Sequence, residues 1–432
     1  MATFHIDQNK IIGSIKKMHG VGQPPVSGGK GFSMFKYLTE AGIPYSRLHD
    51  VGGAYGNGRF VDIPNVFPDF DADETLPESY HFAFTDGLIT ALIEAGVEPI
   101  FRLGVTIEND CAVEAKNIYP PKDYAKWARI CEHVIMHYTE GWANGYNYDI
   151  SYWEIWNEPD NYPEINDNQM WRGTKEEYYE LYTVTAKHLK SRFPHLKIGG
   201  YASCGFYYIK EAYNEAAKST SRTGYFIEFF DGFLDYIKEH GAPLDFFSWH
   251  TYDKVVENNI AYAHYARERL DAAGYTDTET TCNEWNTDTD RRGTLYQAAK
   301  VAANLLAFQD TPLDTAMFYD ARLGISVYGN LFDPMTRLPS PSYYAFTAFN
   351  RLYTRGSELA LTYDADGVYA VAAKGDGDVA LVIANPTADS IPLELDGIEP
   401  LYYIVTDLRG LDRHAESLDA IPAESIVTVI AK

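Results

Sequence analysis

The sequence predicts an α/β chain, a (β/α)8 barrel followed by a small antiparallel β domain. Three observations lead there. Eight short runs rich in β-branched and aromatic residues alternate with longer segments of helical periodicity through about residue 355. Beyond that point the pattern becomes apolar–polar alternation broken by Gly and Asp turns. The length of 432 residues suits one large barrel with an appendage.

The eight runs, in order, are SIKKMHGV (14 to 21), IPYSRLH (43 to 49), EPIFRLG (98 to 104), ISYWEIWN (150 to 157), LKIGGYA (196 to 202), LDFFSWHTY (244 to 252), TETTCNEWN (278 to 286) and TAMFYDA (315 to 321). Helical segments lie between them. In TDGLITALIEAG the apolar stripe Leu88, Ile89, Leu92, Ile93 predicts a helix with Thr85 as N-cap and Gly96 as its stop. GTKEEYYELYTVTAKHL carries Thr174 and Glu177 at capping-box spacing. A third stripe runs through Phe229, Phe230, Phe233 and Ile237 and ends at Gly241. A doubly wound open sheet fits less well, because no Gly-rich phosphate turn is present. Residues 1–355 are therefore assigned to the barrel and 356–432 to a small β-sandwich-like domain, to which TFHID (residues 3 to 7) can add a strand. GDGD at 375 to 378 is a hairpin turn, since no helix follows it.

Composition excludes several classes of function. Acidic residues number 61 against 36 basic ones, the net charge is −25 and no basic run occurs, which argues against nucleic acid or an anionic membrane surface as partner. A neutral substrate is expected. No window approaches the roughly 20 apolar residues of a membrane helix, and the opening residues lack an apolar leader, so a cytoplasmic location is expected. Four cysteines, without paired or metal-like spacing, predict neither a disulfide framework nor a zinc site. The 34 tyrosines are a hint of sugar stacking, and a homo-oligomer is compatible with the sequence without being indicated by it.

In such a barrel the active site forms at the C-terminal ends of the strands. Those ends supply His19; Arg47, His49 and Asp50; Arg102; Asn157 and Glu158; Ser203; His250 and Tyr252; Glu284 and Asn286; Asp320 and Arg322. Two ends, the fourth and seventh, present a lone glutamate, Glu158 and Glu284. Facing carboxylates are what glycoside hydrolysis needs, one to protonate the departing oxygen and one to attack the anomeric carbon or activate water. Arg47 is a cation suited to keeping the attacking group charged, and Tyr252 a hydrogen-bond donor to it. Strand alternation places Tyr152, Glu154 and Trp156 on one face and Trp153, Ile155 and Asn157 on the other, with Glu154 a buried, paired carboxylate below the site.

WEIWNEPD and NEWNT, together with MHGVG, SRLHD, FPDFDAD, YHFAFTD, FRLGVTIEND, HLKIGGY and SWHTYD in that chain order, resemble the family 39 glycoside hydrolases of the clan A retaining glycosidases, best known as β-xylosidases. The resemblance covers roughly residues 15 to 290. It implies a retaining double displacement with Glu158 as acid/base and Glu284 as nucleophile. It further implies that Asn157 bonds the sugar 2-hydroxyl, that His49 and His250 line the glycone subsite, and that Arg47 and Tyr252 support Glu284. No metal or organic cofactor is expected, and exo action on an oligosaccharide is the default. Two segments depart from the family pattern: HGVGQPP after the first strand, and FYDARLGISVYGNLFD after the eighth, where Asp320 and Arg322 stand in place of the aromatic and acidic residues that grip the far side of the sugar.

Other signals are weaker. His19 and Arg47 fit structural roles about as well as binding ones. DFDADE (69 to 74) lacks the Gly and the final Glu of an EF-hand loop and predicts a solvated acidic loop. Neither G-x-S-x-G nor H-E-x-x-H occurs, which removes the commonest serine and zinc hydrolases. The sequence therefore predicts a retaining exo-glycosidase, β-D-xylosidase first, with α-L-arabinofuranosidase or another β-glycosidase as alternatives and a catalytically silent sugar-binding barrel as the rival of another class.

Overall fold

The computed structural model describes residues 2–26, 33–51, 60–107, 117–207, 209, 221–323, 328–329 and 331–432. Eight parallel strands close a barrel in chain order: β2 (Lys17–Gly22), β3 (Tyr45–Leu48), β4 (Glu98–Leu103), β5 (Tyr152–Ile155), β6 (Lys197–Ser203), β7 (Phe246–Thr251), β8 (Glu279–Trp285) and β9 (Thr315–Phe318). Each of the eight falls within or beside one predicted run. Around them pack α1 (Lys36–Glu40), α2 (Ile63–Val66), α3 (Ala83–Glu94), α4 (Tyr124–Thr139), α5 (Lys175–Arg192), α6 (Ser221–Glu239), α7 (Val256–Ala273), α8 (Leu295–Gln309) and α9 (Tyr343–Tyr353).

The helix caps follow local chemistry in one case and not in another. At α5 the Thr174 hydroxyl accepts from the Glu177 amide while the Glu177 carboxylate accepts from the Thr174 amide at 2.7 Å, the reciprocal capping box the spacing predicts. Helix α3 instead begins at Ala83, with Phe82 before it, so Thr85 is a buried first-turn residue and no cap. Its hydroxyl donates to the Phe60 carbonyl, a tertiary contact that overrides the local preference. The Phe229, Phe230, Phe233, Ile237 stripe of α6 is buried as predicted.

Inside the barrel the side chains lie in layers. Tyr45, Ile100, Tyr152, Phe246 and Met317 form an apolar floor. Above it Arg47, Glu154, Ser248 and Asn283 form a polar layer joined by hydrogen bonds. An apolar floor under a buried ionic layer fixes charge positions, because water cannot enter from below to compete.

A second sheet of nine strands comprises β1 (Ala2–Ser14), β10 (Ser357–Tyr363), β11 (Tyr369–Lys374), β12 (Val379–Asn385), β13 (Ile391–Asp396), β14 (Pro400–Asp407), β15 (Gly410–Ala415), β16 (Ala420–Ile421) and β17 (Ser425–Ala431). Its strand order is β15-β14-β17-β12-β11-β10-β1-β13-β16. Residues 3–7 thus lie in this sheet, paired antiparallel with β10 and parallel with β13. The 375–378 turn joins β11 to β12, with the Gly375 amide donating to the Asp378 carbonyl at 3.0 Å. Strand β12, VALVIAN, is buried along its whole length. Val379, Leu381 and Ile383 face the sheet's own core, while Ala380, Val382 and Ala384 join the barrel's core where α8 and α9 pack on the sheet. A strand covered on both faces reads as a continuous apolar run, which is what this segment shows.

Candidate active site

The fourth barrel strand is where the backbone makes the site. β5 ends at Ile155 because Trp156 adopts φ +73° and Glu158 φ +43°, both in the left-handed region. This turn breaks the predicted alternation. Trp156 swings outward to pack obliquely against Trp127 of α4 and edge-on against Trp171, its indole nitrogen donating to the Met170 carbonyl, whereas Asn157 turns inward to accept from Arg47. Two inter-strand bonds anchor the turn, from the Trp156 amide to Leu103 at 2.9 Å and from the Glu158 amide to Ala202 at 3.0 Å. The strain of left-handed residues is thereby held at the point that aims a carboxylate.

β8 uses a different device. Its register against β7 pairs Trp249 with Cys282 and then His250 with Glu284, so Asn283 is an extra residue. That bulge lets two consecutive side chains face inward: Asn283 donates to Glu154, and Glu284 accepts from Arg47. Glu279, the other glutamate of this strand, lies at the opposite end and binds Lys197 and the Tyr152 hydroxyl.

Arg47 organises the centre. Its guanidinium donates to Glu154 at 2.7 Å, Glu284 at 3.1 Å and Asn157 at 2.5 Å, so one planar group fixes both carboxylates and the amide next to Glu158. Tyr252 donates to the second oxygen of Glu284. Burial and the Glu284 charge push the Tyr252 phenol well above its ordinary pKa, so it stays a donor. His250 spans the two glutamates, Nδ1 2.8 Å from Glu158 and Nε2 3.7 Å from Glu284. The nearest oxygens of Glu158 and Glu284 are within 4.8 Å of each other.

Three titrations are linked here. Burial pushes Glu158 up, yet the hydrogen bond and charge of His250 and the 2.9 Å bond from Asn161 outweigh it and leave the carboxyl below its ordinary value. Burial lifts Glu284, the Glu158 charge adds to this, and His250 and Arg47 only partly oppose it. Burial disfavours charge on His250, but Glu284 and Glu158 overcome that and raise its pKa. The two shifts together favour the proton of the His250–Glu158 hydrogen bond on the His250 side.

The remaining predicted residues divide. His49 is buried against Asp50, 3.3 Å away, and burial together with Arg102 and Arg47 holds its pKa well below normal, so the ring is neutral. Asp320 is buried, its pKa pushed to about 7 by desolvation against the pull of Arg322, whose guanidinium lies 3.4 Å away. Asp50 is raised to about 6 for the same first reason and accepts from Tyr319 at 3.0 Å. His19 does not join them. Its ring packs 5.2 Å from Phe349 and 5.1 Å from Tyr353 of α9, outside the barrel wall, where burial lowers its pKa to about 4. Ser203 and Arg102 serve structure: Ser203 donates to Asp160, and Arg102 binds Asp62.

Several contributors were not singled out from sequence. Asn161 holds Glu158; Asp160, buried and raised to about 7 by desolvation, ties the Glu158 turn to β6 through Ser203 and the Cys204 amide; Ser248 and Asn283 hold Glu154. Asp160 and Asn161 directly follow the WNEP motif, which is the one signal that could have flagged them. The acidic loop 69 to 74 is built from Asx-type turns and ion pairs to Lys122 and Arg129. A flank groove of about 1140 Å3 between α3 and α4, lined by Phe60, Tyr80, Phe84 and His137, is separate from the mouth.

Comparison with known proteins bears on the family and the fold. The chain is 23% identical over 377 residues to a beta-xylosidase of Geobacillus stearothermophilus, covering 76% of this chain and 66% of that one. It is 24% identical over 416 residues to a beta-xylosidase of Caldicellulosiruptor saccharolyticus, covering 88% and 75%. It thus spans just under two thirds of the first relative's length. A solved glucosidase from Croceicoccus marinus superposes with a TM-score of 0.78 at 21% identity, over 100% of this chain and 99% of that one. A GH39 beta-xylosidase from Caulobacter crescentus gives 0.67 at 18% identity with the same coverages, and these likenesses establish the shared fold. The profile of the glycosyl hydrolases family 39 matches residues 57–281, just over half of the chain, and the chain belongs to that family.

Proposed function

We propose that the protein is a retaining exo-glycoside hydrolase that removes terminal sugars from short oligosaccharides, with β-D-xylosides as its substrates. The observation that carries this is the pairing of Glu158 and Glu284 across the barrel mouth, with oxygens within 4.8 Å and Arg47 and Tyr252 both bonded to Glu284. Such closeness suits a carboxylate that attacks carbon directly, for which the groups stand about 5–5.5 Å apart, better than inversion, which needs a gap of about 6.5–9.5 Å for its water. The xyloside assignment is supported by the two curated relatives, both named beta-xylosidases.

In the first half-reaction the proton of the His250–Glu158 hydrogen bond must sit on Glu158. A transfer across 2.8 Å achieves this and leaves His250 neutral, a change favoured once substrate expels water and charge separation becomes costly. Glu158 then gives the proton to the glycosidic oxygen while a Glu284 oxygen bonds the anomeric carbon and the C–O bond to the leaving group breaks. In the second half-reaction Glu158, now a carboxylate, takes a proton from water as its oxygen displaces Glu284 from carbon. Arg47 and Tyr252 donate to Glu284 throughout, favouring its departure as an anion. Asn157, oriented by Arg47, faces the sugar 2-hydroxyl, and His49, Asp320 and Arg322 line the glycone side. We place the enzyme in the cytoplasm, acting on imported sugars; that the described cysteines Cys131, Cys204 and Cys282 are free thiols supports a reducing compartment, and cell fractionation tests it.

The test is release of 4-nitrophenol from β-D-xylopyranoside, α-L-arabinofuranoside, α-L-arabinopyranoside, β-D-glucopyranoside and β-D-galactopyranoside, with Glu284→Ala and Glu158→Gln alongside. The β-xyloside should be turned over fastest by wild type and not measurably by Glu284→Ala. Glu158→Gln should lose about 10²–10⁴-fold on natural xylosides, which need protonation of the leaving oxygen, and less on activated aryl ones. Preferred hydrolysis of another glycoside would replace the xyloside assignment, and silence across the panel with sugar binding intact would favour a binding barrel.

A further inference from the structure

We propose that Gln23 reads the free end of the sugar chain: its Oε1 accepts a hydrogen bond from the 4-hydroxyl of the terminal sugar, which makes it a specificity-determining residue of the glycone side. The proposal rests on the glycoside hydrolase reading above and deepens it. Gln23 is fully buried just past the end of β2, and its Oε1 has no hydrogen-bond partner among the described residues. A buried acceptor without a donor is costly unless a ligand supplies one. The backbone is committed as well. Gln23 has φ +49°, in the left-handed region, and is held there by its amide donating to the Arg47 carbonyl and by the Ala321 amide donating to the Gly22 carbonyl, both at 3.0 Å.

A relay fixes which end of the side-chain amide is left over. Gln23 Nε2 donates to the Tyr319 hydroxyl at 2.5 Å, and that hydroxyl donates to Asp50 at 3.0 Å. Burial and the charges of Asp50 and Glu284 push the Tyr319 phenol well above its ordinary pKa, so its single proton stays in place to serve Asp50. Bracing Tyr319 therefore uses Nε2 alone and leaves Oε1 for a ligand. The relay borders the mouth, because Tyr319 stands edge-on to Tyr252 with ring centroids 6.3 Å apart, and Tyr252 is bonded to Glu284. Gln23 and Tyr319 come from HGVGQPP and FYDARLGISVYGNLFD, the two segments that depart from the family pattern, and the fold brings them into contact.

Place in the barrel selects the hydroxyl. In the closed order of strands, β5, which leads to Glu158, lies four strands from β9, and β2 pairs with β9. Glu158 works on the leaving-group side, so the wall made by the ends of β9 and β2 faces the opposite end of the terminal sugar. In a pyranoside that end carries the 4-hydroxyl, across the ring from the anomeric carbon. Oε1 can only accept, and a sugar oxygen that is already glycosylated has no proton to give it. Gln23 thus favours a chain terminus over an internal unit, which supplies a physical reason for exo action.

The experiment measures kcat/KM of wild type, Gln23→Met and Gln23→Ala on 4-nitrophenyl β-D-xylopyranoside and on its 3-deoxy and 4-deoxy analogues. Wild type should lose about tenfold or more on the 4-deoxy analogue, since the buried acceptor then stays unpaired. Both variants should lose about tenfold or more on the parent and on the 3-deoxy analogue, and less than about twofold on the 4-deoxy one, because the bond they lack was not made there. A merely structural role for Gln23 lowers all three substrates alike and would overturn the proposal, as would a wild type indifferent to the 4-hydroxyl. Thermal unfolding shows which variants are folded. Independently of them, diffraction from Glu284→Ala soaked with xylobiose should place the terminal 4-hydroxyl about 2.5–3.0 Å from Gln23 Oε1, and a separation beyond about 3.5 Å would refute the contact. If another pyranoside is preferred, the analogues are made on that sugar, so the xyloside assignment falls without this one; turnover of the furanoside alone, which has no 4-hydroxyl, overturns it. If nothing is turned over, the diffraction still decides.

Discussion

At the residue scale the site depends on Arg47 more than on any other uncharged or charged neighbour of the two glutamates. Its side chain is essentially inaccessible, and the three groups it contacts come from β5, the turn after it, and β8. Lysine can keep the charge but offers a single point donor on a flexible stem, so it cannot hold all three in one plane. Arg47→Lys should therefore lower kcat by about 10²-fold, in line with removal of a donor aimed at developing charge, with a smaller change in KM. Steady-state kinetics on an aryl xyloside check this; if charge alone mattered, Arg47→Lys would retain near wild-type rates. Glu154, two residues below the turn, is the counter-ion that makes a buried guanidinium affordable, and its contacts to Ser248 and Asn283 satisfy its other oxygen.

At the scale of elements, local chemistry decides some boundaries and tertiary contact decides others. The capping box of α5 is local and exposed, so Thr174→Ala should destabilise the protein by about 1 kcal/mol and leave activity untouched, as urea unfolding and kinetics together would show. A change in KM would instead mean that α5 communicates with the mouth. Strand periodicity, hydrophobic stripes and the 375–378 turn were legible because each is fixed within a few residues of sequence. The left-handed turn at Trp156 and Glu158 and the bulge at Asn283 were not. Both involve non-glycine residues whose backbone angles are imposed by neighbouring strands, and no residue type announces them. The same reason explains Thr85, which has the chemistry of a cap but is claimed by the Phe60 carbonyl.

At the scale of the whole molecule, the nine-stranded sheet is fastened to the barrel through α8 and α9 and through Glu358 of β10. Glu358 accepts from Gln309 at 2.6 Å, is only 7% exposed, and has its pKa raised to about 7 by burial, against the Gln309 hydrogen bond and with the Asp310 charge adding to the rise. A carboxyl whose folded pKa exceeds its ordinary 4.5 favours the native state fully below pH 4.5, and that contribution is lost as pH rises through about 7. Glu358→Gln keeps an acceptor for Gln309 and carries no charge. Its melting temperature should match wild type at pH 4 and exceed it at pH 8, as scanning calorimetry at the two values would show; a variant less stable than wild type at pH 8 would mean that the ionised carboxylate has a partner worth more than its burial costs.

The sequence by itself determined the barrel, the order of its strands, the second β unit and the two glutamates at strand ends, because those follow from periodicity and from motif residues adjacent in the chain. Tertiary structure alone decided which polar strand-end residues meet. His19 and His250 look alike in the sequence, each two residues before the end of a predicted strand run, yet one faces α9 and the other spans Glu158 and Glu284. Which side of a closed sheet a residue occupies depends on the register and bulges of strands far away in the chain, and a single shift of one residue exchanges core, helix layer and active site.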